Sequence, residues 1–235
     1  MVITLAQALY SLGHCVVILN IRGVTEHLVP ENLVVVDGNF DMSARKAQRH
    51  YEKFSRLFAG LELNYGKFDL ILSNLSLSHS LFRRLERRVY FVVHNTTSLE
   101  VKTKKGVVKK FRYKHRLKKF YKNKSSICVS DGVRQDLIQN FEVPQNLCRT
   151  IYNPFNFKMI REQADQNPEL CLPTEYIVNV GRLSRQKRQD ILIEAFARSE
   201  ISGSLVIVGK GEMDEELKSQ ACRLGVQDRV VFIGF

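Results

Sequence analysis

The chain has 235 residues, 44% of them hydrophobic, which excludes an intrinsically disordered segment and suffices for the core of one large or two small domains. A formal net charge of +12 and a pI near 9.6 select for an anionic partner: nucleic acid, anionic lipid or a phosphate-bearing substrate. Cys15, Cys128, Cys148, Cys171 and Cys222 are odd in number and form no C-x-x-C pair, so they read as reduced thiols, mostly core, in a cytosolic protein. No run approaches the roughly 18 apolar residues of a membrane span, and the apolar start has no basic n-region of a signal peptide.

In chain order, Val2, Leu5, Ala6, Leu9 and Leu12 share one helical face closed by Gly13, so the chain is expected to open inside a helix. His14 to Asn20 follow as a buried strand. Leu33 to Val36 read as a strand ending at Asp37-Gly38, residues 42 to 60 as a long polar helix, and Phe68 to Leu72 as a strand. Leu75 to Glu86 resume helix and Val89 to Val93 strand. This alternation predicts a parallel sheet covered on both faces, an α/β class. His94-Asn95 stand at the carboxyl end of the Val89 to Val93 strand, where ligand contacts collect in such sheets. On position alone His94 reads equally as a strand cap or as a ligand contact.

From Val101 to Lys124 there are ten lysines, Arg112 and Arg116, and no acid. Val107, Phe111, Phe120 and Tyr121 interleave with them, which predicts a basic amphipathic helix after Gly106. A solvated face, an anionic membrane surface and single-stranded nucleic acid are its three possible uses, the last without a recognition module to support it. Residues 125 to 129 are a further strand, and Ser130-Asp131 cap a helix through Leu137. Ile151-Tyr-Asn-Pro154 closes the first half. Residues 156 to 174, with Pro168 and Pro173, lack periodicity and read as linker.

The second domain starts near Glu175. Ile177, Val178 and Val180 form a strand ending at Gly181, and a helix with Ile191/Ala195 and Leu192/Phe196 at i,i+4 starts at Lys187. Between them sit Arg182, Arg185, Lys187 and Arg188. Cations at a helix start beyond a strand's carboxyl end make an anion site. Gly209 and Gly211 flank Lys210 at the next strand end, as either a nucleotide approach or an ordinary tight turn.

Asn179-Val-Gly-Arg-Leu-x-x-Gln-Lys187, Asp190-x-Leu-Ile-x-Ala-Phe196, Leu205-x-Ile-Val-Gly-x-Gly211 and Leu224-Gly-Val-x-Asp-Arg-Val-x-Phe-x-Gly234 resemble, in order and spacing, the donor-binding domain of retaining GT-B glycosyltransferases of family 4. The resemblance implies two Rossmann-like domains: an acceptor-side domain over 1–153, a linker over 154–174, and the start of a nucleotide-sugar domain over 175–235. It implies a UDP- or GDP-linked sugar donor held between the domains, with Gly181, Arg182 and Lys187 on its diphosphate and Gly209 and Gly211 near the nucleotide. His94 would line the cleft near the transferred sugar as the catalytic residue. The leaving diphosphate would be stabilised by cations, with no metal and no cofactor, and the configuration retained. The acceptor would be a lipopolysaccharide or polysaccharide precursor, a glycolipid or oligosaccharide. The basic helix, through Lys109, Lys110, Lys118 and Lys119, would set the protein peripherally on the cytoplasmic face of an anionic membrane, with no nucleic acid as partner.

Two rivals stand beside this reading: a sugar-nucleotide epimerase of the same fold, and a non-enzymatic remnant that binds anionic membranes or nucleic acid. The chain departs from the family at Arg188, where glycine is usual, so a different helix start is expected. Members normally begin with a strand and a glycine-rich loop, and continue past Gly234 to two glutamates eight residues apart. The resemblance therefore implies a chain truncated at both ends, a weak nucleoside diphosphate binder with feeble turnover.

Overall fold

A computed structural model describes residues 1–21, 29–40, 47–166 and 171–234. The chain divides into two compact units, Met1–Arg161 and Glu162–Phe235.

The first unit contains α1 (Val2–Ser11), β1 (Val17–Asn20), β2 (Val34–Asp37), α2 (Ala47–Tyr65), β3 (Ile71–Asn74), α3 (Leu75–Phe82), β4 (Val89–Val93), α4 (Thr97–Lys102), α5 (Val107–Tyr121), β5 (Ser126–Cys128), α6 (Asp131–Phe141) and β6 (Cys148–Thr150). β1 and β2 pair parallel, Val17 opposite Val34; β3, β4, β5 and β6 form a second parallel sheet in that order. Parallel neighbours need long crossovers, which the helices supply in the second sheet. α2 is polar outside, but Phe54, Phe58 and Leu61, at i, i+4 and i+7, are buried. Phe54 meets Phe82 edge-on at 4.8 Å between centroids, an arrangement that adds about 0.5–1.5 kcal/mol to the area buried. Phe91, Leu137 and Phe141 complete this core.

Several boundaries differ from the sequence reading. Ala6 is the one buried residue of α1 and Leu12 is 74% exposed, because little among the described residues packs on that stripe. β1 begins at Val17 and is half-buried, since among the described residues it has a strand partner on one side only. β3 starts three residues late, leaving Phe68 to reach Phe58 from the loop at 5.7 Å. The expected helix start at residue 42 and Pro168 lie outside the described residues. α7 (Phe157–Ala164) occupies part of the stretch read as linker; Asn156 Oδ1 accepts from the Met159 amide at 3.1 Å and starts it. Of the cysteines, Cys128 and Cys148 are buried, whereas Cys15, Cys171 and Cys222 are exposed, which corrects the expectation of mostly core thiols. Cys15 sits in the turn after Gly13, Cys171 in a loop, and Cys222 on the outer side of a last helical turn.

The second unit contains β7 (Tyr176–Val180), α8 (Gln189–Ala197), β8 (Ser204–Val208), α9 (Asp214–Arg223) and β9 (Val230–Ile233). Its sheet is parallel in the order β7-β8-β9, with Val178 opposite Val206 and Ile207 opposite Phe232. Leu205 and Ile207 point into a cluster with Leu183, Ile193, Leu217 and Ala221. Successive strand residues alternate faces, so Val178 and Val180 point away from that cluster, and Val180 is 72% exposed.

Candidate functional site

In the first unit, adjacent strands β3 and β4 end side by side, with Asn74 in register with Val92. His94, one residue past β4, places Nε2 3.0 Å from Asn74 Oδ1. The Asn74 amide nitrogen faces the Leu72 carbonyl at 3.5 Å, so its oxygen is the atom turned to the ring, and His94 Nε2–H donates to it. That leaves His94 Nδ1 as an acceptor. Partial burial holds the His94 pKa below the ordinary histidine value. Behind it, His79 is 1% exposed, stacks flat on Phe91 at 4.4 Å, and has Nδ1 2.9 Å from Ser73 Oγ. Burial, and next the charge of His94, lower its pKa to about 4, against a backbone hydrogen bond to Val92. His79 is therefore neutral at pH 7.

Leu75, immediately after Asn74, is 62% exposed and has φ +68, a left-handed backbone that disfavours a branched side chain. Sequence reasoning missed Asn74, Leu75 and His79. The signal was present: Ser73-Asn74 is a polar pair closing an apolar run, the same pattern that drew attention to His94-Asn95.

In the second unit, the turn after β7 is laced to the turn after β8. Gly181 N donates to Val208 O at 2.9 Å, Leu183 N to Lys210 O at 3.0 Å, and Met213 N to Leu183 O at 3.1 Å. Gly209 has φ +144, and a Cβ there would stand 2.3 Å from Gly181 O; at Gly211 it would stand 2.1 Å from Leu183 O. These glycines let the two turns touch, so the tight-turn reading has a full physical account.

The structure brings Lys187 to Gly181: the lysine's Cδ and Cε lie 3.9 Å from where a Cβ would sit. Arg182 is exposed and engages Glu212 at 3.3 Å. Arg188 takes φ +55 as the residue before α8, so the helix starts at Gln189, two residues later than the sequence suggested. Its guanidinium bonds Asp190 at 3.0 Å and holds that carboxyl below the usual carboxylate range. Gln189 is buried and donates to Arg182 O at 3.2 Å, pinning the turn from beneath. Exposed Arg182, Arg185 and Lys187 in this turn can bind an anion, each charge-assisted contact contributing about 1.5–3 kcal/mol.

The four lysines assigned to the basic helix do not share one face. Lys118 pairs with Glu142 at the end of α6, whereas Lys109, Lys110 and Lys119 are exposed. Beside them Val107, Val108 and Phe111 are 83%, 69% and 72% exposed. Among the described residues no helix is long and apolar enough to cross a membrane.

Comparison with known proteins bears on both units. Residues 1–158 match the family model described as Glycosyltransferase Family 4, and residues 161–235 that described as Glycosyl transferases group 1. The chain is 33% identical over 106 residues to an N-acetylgalactosamine-N,N'-diacetylbacillosaminyl-diphospho-undecaprenol 4-alpha-N-acetylgalactosaminyltransferase of Campylobacter jejuni, a match covering 45% of this chain and 28% of that protein. Among solved structures, Anabaena HepE in complex with UDP and glucose has a TM-score of 0.65 at 20% identity, covering 99% of this chain and 66% of the other. WaaG, a glycosyltransferase involved in lipopolysaccharide biosynthesis, has a TM-score of 0.59 at 17% identity, covering 99% and 65%. At these identities the likeness shows the fold, GT-B. The match thus spans under a third of the Campylobacter relative and about two thirds of the solved chains.

Proposed function

The chain belongs to glycosyltransferase family 4, and from that premise we propose that its protein moves a sugar from a nucleoside diphosphate donor to a glycolipid acceptor, with retention of configuration. The observation that carries the donor half is the Lys187 side chain lying over the open face of Gly181 in a cation-rich turn at the carboxyl ends of parallel strands. There Lys187 and Arg182 hold the diphosphate and stabilise the charge that grows on it as the sugar departs. UDP in HepE and the diphospho-undecaprenol in the Campylobacter relative's name support a UDP-linked donor, with GDP as the other choice, and a lipid-borne saccharide acceptor of the lipopolysaccharide or polysaccharide class. His94, oriented by Asn74, offers Nδ1 as a hydrogen-bond acceptor for a sugar hydroxyl. Exposed Val107, Val108 and Phe111 among lysines support peripheral attachment to the anionic cytoplasmic face of a membrane.

Calorimetry with UDP, GDP and ADP tests the donor half. Binding of UDP or GDP that weakens at least tenfold in Lys187→Ala, with the circular dichroism unchanged, supports it. No binding by the parent, or equal binding by the variant, overturns it.

A further inference from the structure

The corner between β3 and α3 is strained, and three buried polar side chains are gathered under it. Leu75 holds its left-handed backbone with the side chain exposed, so no burial of that side chain offsets the strain, and glycine would take the same turn freely. Beneath the corner the Ser78 hydroxyl donates to the Asn74 carbonyl and faces the Leu75 carbonyl at 3.0 Å. The Ser73 hydroxyl donates to Ser78 Oγ at 3.0 Å, and Ser73 Oγ lies 2.9 Å from His79 Nδ1. Ser73, Ser78 and His79 are all buried.

A helical serine often bonds a carbonyl one turn back; here the carbonyls one turn back are those of the strained corner. The Asn74 carbonyl and the Leu75 amide belong to one rigid peptide plane, whose tilt sets ψ of Asn74 at 136 and φ of Leu75 at +68. Pinning that oxygen therefore holds the strained angle and, on its other side, the backbone of the residue whose Oδ1 meets His94. Strain of this kind lasts only where its surroundings over-determine it. Once the plane is released, Leu75 relaxes to negative φ and ψ of Asn74 moves with it. The Asn74 side-chain rotamer, which depends on its own backbone angles, then leaves the ring of His94. Ser80 is the contrast on the same helix: its hydroxyl donates to the Leu77 carbonyl at 2.7 Å.

We propose that Ser78, backed by Ser73 and His79, is a positioning residue for His94: through the Asn74 carbonyl it keeps Asn74 Oδ1 on the Nε2–H and so leaves His94 Nδ1 open to a ligand hydroxyl. Ser78 is buried and acts only through Asn74. The functional meaning of this arrangement rests on the reading of His94 as a sugar contact, given above.

The test reads the ring without ligand, so its outcome is separate from whether a sugar binds. Ring nitrogen shifts of His94 are recorded on the full chain at pH 8, where the imidazole is neutral. The signals are identified by their loss in His94→Gln, and folding is checked by circular dichroism. The parent should show mainly the Nε2–H form. Ser78→Ala should shift the tautomer ratio at least twofold towards Nδ1–H, whereas Ser80→Ala, the same hydroxyl removed from the same helix, should leave it unchanged. Leu75→Gly combined with Ser78→Ala should restore the parent ratio, because glycine carries no penalty for the left-handed angle. Should Ser78→Ala fail to fold, Ser73→Ala removes the backing bond and keeps Ser78 in place, and the same shift is expected. A parent-like ratio in the readable serine variant, an equal shift in Ser80→Ala, or no restoration by glycine overturns the positioning role. Failure of the sugar reading looks different: the His94 signals would ignore added UDP-glucose while Ser78→Ala still moves them.

Discussion

Asn74 Oδ1 accepts the Nε2–H of His94 at 3.0 Å across the ends of two paired strands, and so fixes which ring nitrogen is free. Removing an acceptor of this kind forfeits about 1 kcal/mol, which is roughly a fivefold change in tautomer ratio. In Asn74→Ala, ring nitrogen shifts of His94 should therefore move from a predominantly Nε2–H form towards a mixture. Asn74→Asp should instead raise the His94 pKa, since a carboxylate favours imidazolium. Unaltered ring shifts in the alanine variant would refute the positioning role.

His79 makes the first unit sensitive to acid. Its pKa is about 4 in the folded chain against 6.5 when unfolded, so between those values the unfolded state binds more protons. Stability from the neutral buried ring is complete above about pH 6.5 and is lost as pH falls towards 4, amounting to about 3 kcal/mol. Amide exchange in β3 and β4 should accelerate over that window in the parent. His79→Phe should flatten the dependence whatever its absolute stability, and a parent-like slope in that variant would assign the acid sensitivity to other groups.

The second unit was legible in sequence because its signals are local. Each strand is a β-branched run stopped by glycine, and the cations follow directly, so β7, β8 and the turn at Gly181 lie where periodicity put them. What sequence could not supply was the reason for Gly209 and Gly211, since their neighbours are the backbone oxygens of Gly181 and Leu183, about thirty residues away along the chain. The same limit hid Asn74: its partner is His94, and only the β3-β4 register brings them together. α4 and β6 were missed because six- and three-residue elements carry too few periods to read.

Glu212 competes for Arg182. The pair is exposed on both sides at 3.3 Å, so it contributes little to stability, yet a diphosphate must displace the carboxylate to use the guanidinium. Glu212→Gln should tighten nucleoside diphosphate binding by about two- to fivefold at low salt, and the gain should fade as ionic strength rises. In an Arg182→Ala background the same substitution should have no effect. A gain that persists there would show that Glu212 acts on another cation.

Arg188 occupies a glycine position without being glycine. Its φ of +55 and ψ of +37 are left-handed, a conformation that costs a residue with a Cβ about 1 kcal/mol or more, and the bond to Asp190 offsets part of this strain. Arg188→Ala removes the bond and keeps the strain, whereas Arg188→Gly removes both. The glycine variant should therefore melt a few degrees above the alanine variant, although glycine is ordinarily the worse residue beside a helix interior. Paired thermal melts of the two variants, followed by far-ultraviolet circular dichroism, measure the ordering directly. Alanine melting at or above glycine would mean that the turn relaxes out of the left-handed region once the arginine is gone, and that the Asp190 bond, rather than the packing of Gly181 to Gln189, is what holds the residue there.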